Sequence, residues 1–205
     1  MKQDEINTIV ENVFTSQEVN EIYKAVQNNS GGSFIKNHAQ ANTFIQLPDA
    51  IIEKVTSIAR SVSGNKRIIL SEYCHARYNN VTSNCGKFHY KPSLFPHYDE
   101  TFKEPRFTFD YQIQSNVEWP LIVEPDQSFT LKDNQALTFS GTHQIHWREP
   151  KNFADNEFVE MVFFHFVDPE AETKDLEINK VLKEKASIYM EQFFANGGFT
   201  NDDSE

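Results

Sequence analysis

The sequence predicts a mainly β fold, a sandwich or barrel with helices packed outside it. Three observations carry this. The hydrophobic period changes from helical to two near residue 67, and the runs that follow are short and closely spaced. Good turn sequences, "PDQ" and "KDN", separate several of them. Eighteen phenylalanines in 205 residues suggest a sheet-rich, aromatic core.

The N-terminal flank, residues 1–66, reads as helical. In "TSQEVNEIYKAVQNN", Thr15 and Glu18 form a capping-box pattern, and Val19, Ile22, Tyr23 and Val26 make one apolar stripe. "LPDAIIEKVTSIARSVSGN" offers Asp49 as N-cap, a stripe of Ile51, Ile52, Val55, Ile58 and Ala59, and Gly64 as the stop. "NNSGGSFIKNHAQANT" between them reads as a loop with a short strand. The strand region is 67–168. "RIILSEYCHARYNN" opens it, and residues 81–93 form a polar loop that is a candidate cover for a site mouth. In "RFTFDYQIQ", Phe107, Phe109, Tyr111 and Ile113 share one face, and Arg106, Thr108, Asp110, Gln112 and Gln114 the other. "WPLIVE", "SFTL", "QALTFSG" and the most apolar run, "EFVEMVFFHFV", follow. Residues 169–194 read as a closing amphipathic helix, and 195–205 as a disordered tail. One domain over 1–205 is the simplest organisation.

Composition narrows the function. The 39% hydrophobic and 24% charged fractions are those of a soluble globular protein. A net charge of -11 argues against a nucleic-acid partner, which requires Lys and Arg against phosphates. The start lacks the apolar run of a signal peptide, and no segment reaches the ~20 apolar residues that span a bilayer. Cys74 and Cys85 have no CxxC spacing and read as reduced thiols in a cytoplasm.

Chemistry concentrates in "FPHYDE". On a strand, His97 and Asp99 leave the same face while Tyr98 points away. "SGTHQIHWREP" supplies His143 and His146, whose odd spacing sends at most one inward beside His97. Two histidines and one carboxylate on three corners of a metal are the facial triad of non-haem Fe(II) oxygenases. An H-x-D alone is weak evidence, and a strand histidine is more often a surface or hydrogen-bonded residue.

Over roughly residues 68–168 the sequence resembles the Fe(II)- and 2-oxoglutarate-dependent dioxygenases, in a layout like that of the prolyl hydroxylases. "ARYNN … LFPHYDE" looks like the family's strand, loop and H-x-D. "FDYQIQSNVEWPLIV", "LKDNQALTFSGTHQIHWREP" and "EFVEMVFFHFVDP" look like the strands that follow. The resemblance implies a double-stranded β-helix, or jelly roll, and selects His146 over His143 as the third ligand beside His97 and Asp99. It implies Fe(II) as cofactor and 2-oxoglutarate and dioxygen as co-substrates, with a C–H bond hydroxylated and succinate and CO2 released. The substrate would be a peptidyl side chain or a small metabolite. Both histidines must be neutral to ligate, so activity is expected to fall below about pH 6.

The family usually places an Arg or Lys about ten residues after the distal histidine, to hold the C5 carboxylate of 2-oxoglutarate. Asn156 stands there, and "EFVEMVFFHFV" contains neither cation. Arg148, two residues from His146, is the preferred substitute, because a planar guanidinium suits a carboxylate. A surface Arg148 paired with Glu149 is the alternative, worth under ~1 kcal/mol. Tyr78 resembles the family's strand tyrosine that donates to the same carboxylate, with a core or rim aromatic as its alternative. Arg77 would face the other way unless the register slips, and Arg106 is a third cation. His165 reads as a satisfied core histidine, His143 as a loop residue, and Trp119 and Trp147 as packing. The competing functions are a cupin-like metal enzyme that does not use 2-oxoglutarate, and a non-catalytic jelly-roll binding module.

Overall fold

The structure is a computed structural model and describes residues 7–28, 32–35, 39–82, 89–99, 106–170 and 176–195. Its elements are β1 (Thr8–Val10), α1 (Ser16–Gln27), β2 (Gly32–Ile35), β3 (Gln40–Thr43), α2 (Asp49–Ser63), β4 (Ile69–Asn79), β5 (Val81–Thr82) and β6 (His89–Tyr90). There follow β7 (Leu94–His97), β8 (Arg106–Ser115), β9 (Leu121–Val123), β10 (Gln127–Phe129), β11 (Gln135–Phe139), β12 (His146–Arg148), β13 (Phe158–Val167) and α3 (Leu176–Ala195). Seven strands form the major sheet in the order β1-β11-β8-β13-β4-β3-β2, and four form the minor sheet, β10-β9-β12-β7. All their pairings are antiparallel. Two facing antiparallel sheets with helices outside make the jelly roll.

Local chemistry explains the helices. In α1 the Thr15 hydroxyl accepts from the Glu18 N–H at 3.3 Å, and the Glu18 carboxylate accepts from the Thr15 N–H at 2.7 Å, completing the capping box. In α2 the cap is Pro48, not Asp49, which becomes the first helical residue and makes no side-chain cap bond. Proline's fixed φ favours the extended cap geometry, and the Asp49 charge still lies in the first turn, where the helix dipole favours it. Gly64 ends α2 at φ 65°. "NNSGGSFIKNHAQANT" supplies two strands rather than one: β2 pairs with β3, and β3 extends the sheet from β4. The strand β1, unforeseen in the N-terminal flank, pairs with β11.

Alternation in the strands decides which side is core. Phe109, Tyr111 and Ile113 of β8, with Val162, Phe164 and Phe166 of β13, pack outward against Ile22 of α1 and Ile51, Val55 and Ala59 of α2. The polar face of β8 therefore looks into the jelly roll. Inside lies a second apolar cluster that includes Tyr78, Trp119, Leu121, Leu137, Phe139 and Met161. The helix α3 covers the outer face of the minor sheet, where Tyr98, Ile145 and Trp147 pack with Leu182 and Phe193. Among the described residues no helix is long and apolar enough to cross a membrane. Residues 196–205, read as a tail, lie outside the described residues, as do residues 83–88 of the polar loop and Cys85.

Candidate metal centre

His97 and His146 are direct cross-strand partners, His97 ending β7 and His146 opening β12. Their rings lie 4.3 Å apart between centroids. Asp99 follows two residues after His97, and its backbone N–H donates to the Gly141 carbonyl at 2.7 Å, fixing the turn. One ligand atom from each of the three lies within 4.8 Å of the others, and His146 Nε2 is 3.8 Å from Asp99 Oδ1. The Nδ1 atoms face backbone carbonyls, His97 toward Phe95 at 2.8 Å and His146 toward Gln144 at 3.1 Å. That arrangement puts the proton on Nδ1 and presents both Nε2 lone pairs to a common point.

The donor set fits a divalent metal. Asp99 Oδ2 accepts from the Thr108 hydroxyl at 2.7 Å, which leaves Oδ1 turned toward the histidines. Gly141 makes this possible. A Cβ there would stand 2.8 Å from Asp99 Cγ and overlap both Asp99 Oδ2 and Thr108 Oγ1. Burial would push the Asp99 carboxyl up, but His146, His165, His97 and the Thr108 bond more than offset it and hold it at about 2. Burial lowers the pKa of His97 and of His146, and the neighbouring His97 lowers that of His146 further. At neutral pH the triad is thus an anion with two neutral imidazoles, the protonation state that ligates.

Arg148 lies on the same strand face as His146 and is 3% exposed, so it is not a surface residue paired with Glu149. The β7–β12 register slips by one between these two positions, at the segment carrying Pro96, which has no N–H to pair. Arg148 Nη1 donates to the Trp119 carbonyl, Nη2 lies 3.2 Å from Met161 Sδ, and the guanidinium sits 4.9 Å from the Trp119 ring centroid. Among the described residues no carboxylate forms an ion pair with it. Tyr78 is fully buried and packs edge-on against Trp119 at 5.0 Å. Burial pushes its phenol pKa up and the nearby Arg148 charge pulls it back. Arg77 faces the opposite side of the sheet, 3.4 Å from Glu160 and over the Phe158 ring, away from the triad. The Arg106 side chain lies outside the described residues.

His165 corrects the sequence reading. It is not enclosed in the core but stands at the triad, with Nε2 4.0 Å from Asp99 Oδ2 and Nδ1 3.1 Å from Glu72. The alternation of β13 puts it on the inner face, and at that level the interior is polar. His143 lies in the turn before β12, its Nδ1 3.0 Å from the Ser140 and Thr142 hydroxyls. Trp147 packs under α3 against Tyr189, whereas Trp119 forms the wall beneath Arg148. Thr108, Gly141 and Asp110 went unrecognised in the sequence. The one available signal was that Thr108 and Asp110 are polar residues on the even face of an otherwise aromatic strand.

No family profile matches the sequence, and no curated protein matches it. Solved structures do match in fold. The carbocyclase SnoK from nogalamycin biosynthesis, a non-haem α-ketoglutarate-dependent enzyme, superimposes with a TM-score of 0.64 at 9% identity, over 87% of each chain. A 2OG-Fe(II) oxygenase family protein from Burkholderia pseudomallei gives 0.60 at 10% identity, over 82% of this chain and 88% of that one. HygX from Streptomyces hygroscopicus, with nickel, 2-oxoglutarate and hygromycin B bound, gives 0.56 at 8% identity, over 82% and 84%. The chain thus has the jelly-roll fold of the 2-oxoglutarate and Fe(II) oxygenases.

Proposed function

We propose that this protein is an Fe(II)- and 2-oxoglutarate-dependent dioxygenase that hydroxylates a C–H bond of a peptidyl side chain or small metabolite. The observation that carries the reading is a pair of features on one strand face of β12: His146, completing a triad with His97 and Asp99, and Arg148, a buried guanidinium with no carboxylate partner among the described residues. His97, Asp99 and His146 would hold the metal. Arg148, with Tyr78 beside it, would hold the C5 carboxylate of the oxo acid deeper in the jelly roll. Bound Fe(II) and the oxo acid supply the dioxygen chemistry, oxidative decarboxylation to succinate and CO2 coupled to attack on a C–H bond. The chain supplies orientation through the tied Nδ1 atoms and the Thr108–Asp99 bond, and exclusion of water through Phe139, Leu137 and Trp119.

HygX with bound 2-oxoglutarate and nickel supports the pairing of this fold with these cofactors. SnoK is a carbocyclase, so hydroxylation is the simplest outcome rather than the required one. A reducing, cytoplasmic setting without nucleic acid or membrane belongs to the same proposal. The absence of Arg and Lys from β13 favours, as a second reading, a metal enzyme on this fold that does not use 2-oxoglutarate. Anaerobic absorption with Fe(II), before and after 2-oxoglutarate, separates them. The dioxygenase gives a visible charge-transfer band that requires both and vanishes in His97→Ala and His146→Ala. Metal binding without the band supports the second reading, and no metal binding sinks both.

A further inference from the structure

The inward face of β8 carries Thr108, Asp110 and Gln112 in a row. Thr108 donates to Asp99, and Gln112 Nε2 donates to the Leu131 carbonyl at 3.0 Å. Asp110 stands between them, 5% exposed, and among the described residues it makes neither a hydrogen bond nor an ion pair. Its cross-strand neighbours are apolar, Leu137 on β11 and Phe163 on β13. Titratable and charged groups face it from four other elements: Arg148 on β12, His165 on β13, Asp99 after β7, and Cys74 and Tyr78 on β4. Arg148 and Asp110 feel each other's charge across the interior, yet neither claims the other as an ion pair. A buried guanidinium and a buried carboxyl on facing sheets, neither with an ion-pair partner among the described residues, are costly unless something joins them.

We propose that Asp110 is a further binding residue of this pocket: as a carboxylic acid it donates a hydrogen bond to the ligand carboxylate that Arg148 pairs, so the pocket takes up one proton when a dicarboxylic oxo acid fills it. This rests on the 2-oxoglutarate reading above. An ionised Asp110 would repel that carboxylate and compete with it for Arg148. A protonated Asp110 supplies a donor and leaves the guanidinium free. Burial already raises the Asp110 carboxyl to about 7, with Asp99 adding to the rise and His165 and Arg148 opposing it. A metal dication and an oxo-acid dianion cancel in net charge, so the nearer C5 carboxylate decides the direction and raises it further. The proton comes from solvent, and no covalent bond changes.

The sign fixes the test. Above pH 7 the empty pocket has lost the proton that the filled pocket needs, so affinity falls as pH rises, by about tenfold per unit. We would titrate 2-oxoglutarate into the Fe(II)-loaded protein without dioxygen by calorimetry, in two buffers of different ionisation enthalpy, following the charge-transfer band in parallel. The expected result is uptake approaching one proton near pH 8 that declines as the pH is lowered. In Asp110→Asn, which keeps the shape and a donor N–H, both the uptake and the pH dependence disappear. A band with no proton uptake near pH 8 overturns the role of Asp110 and leaves the dioxygenase reading standing. Uptake that persists in Asp110→Asn overturns it as well, and no band at either pH overturns both. If that variant fails to fold, Asp110→Ser carries the same comparison, and absence of uptake in the wild type near pH 8 still overturns the proposal.

Discussion

Gly141→Ala isolates the geometry of the metal centre from the stability of the fold. The φ of Gly141 is not left-handed, so alanine brings no backbone strain there, and what it meets is Asp99 and Thr108. A Cβ 2.8 Å from Asp99 Cγ, and nearer still to Oδ2 and Thr108 Oγ1, cannot coexist with the present carboxylate position. Either the carboxylate rotates and loses its 2.7 Å bond from Thr108, or the turn retreats and loses the 2.7 Å bond from Asp99 N–H to Gly141. Disturbing such an orienting contact costs about 10–100-fold in metal affinity, or roughly 1.4–2.8 kcal/mol. Gly64→Ala is the control. Nothing lies within 4 Å of its Cβ position, but φ is +65°, so it costs ~1–2 kcal/mol of stability and leaves the metal alone. Competition against a chromophoric chelator, with Zn(II) as probe, gives the affinities, and denaturant melts give the stabilities. A Gly141→Ala affinity within about twofold of wild type, while Asp99→Ala abolishes binding, would refute the cradle argument.

Two further outcomes follow from burial. Arg148→Met removes a buried cation that has no carboxylate partner among the described residues, so the metal-free protein keeps or gains stability. Titration of the charge-transfer band should then show 2-oxoglutarate affinity down by about 30-fold or more, and an unchanged affinity would move the clamp elsewhere. The pH limit also shifts. Burial depresses both ligand histidines, so the metal-free fold holds its full stability above their unfolded pKa near 6.5 and loses it as pH falls toward the lowered folded values. Each contributes a slope approaching ~1.4 kcal/mol per pH unit. Denaturant melts between pH 7 and 5 should show the loss, and a flat profile would mean that the imidazoles are not held neutral. Metal loss by histidine protonation accordingly belongs well below the pH 6 expected from ordinary imidazoles.

Periodicity made much of the scaffold legible. The stripes of α1 and α2, and the alternation in β8, are strong because each is several residues long and one face is apolar over most of its length. The strands β7 and β12 are only four and three residues long, too short for a period to register, yet they carry the two histidines and Arg148. Their roles were readable only because H-x-D and "HWREP" resemble a known family. The cap of α2 was misread by one residue because Pro48 competes with Asp49 for the position. The roles of Thr108, Asp110 and Gly141 were not legible for a different reason. Their chemistry depends on which strands are neighbours and at what register, and a single sequence contains no cross-strand distances.

Alternation yields two faces but not which of them looks inward, and here the usual assumption fails. In β8 the aromatic face turns outward to α1 and α2, and Thr108, Asp110 and Gln112 turn into the jelly roll. An interior that must hold charged groups at both levels, Asp99 at one and Arg148 at the other, cannot also be the main hydrophobic core. The apolar area has moved to the outer faces, under α1 and α2 on the major sheet and under α3 on the minor one. The helices are therefore part of the site's physics. They provide the burial that lets two short strands hold a triad and a buried arginine in a polar interior, where a bare sandwich of these strands would have to close around its own core.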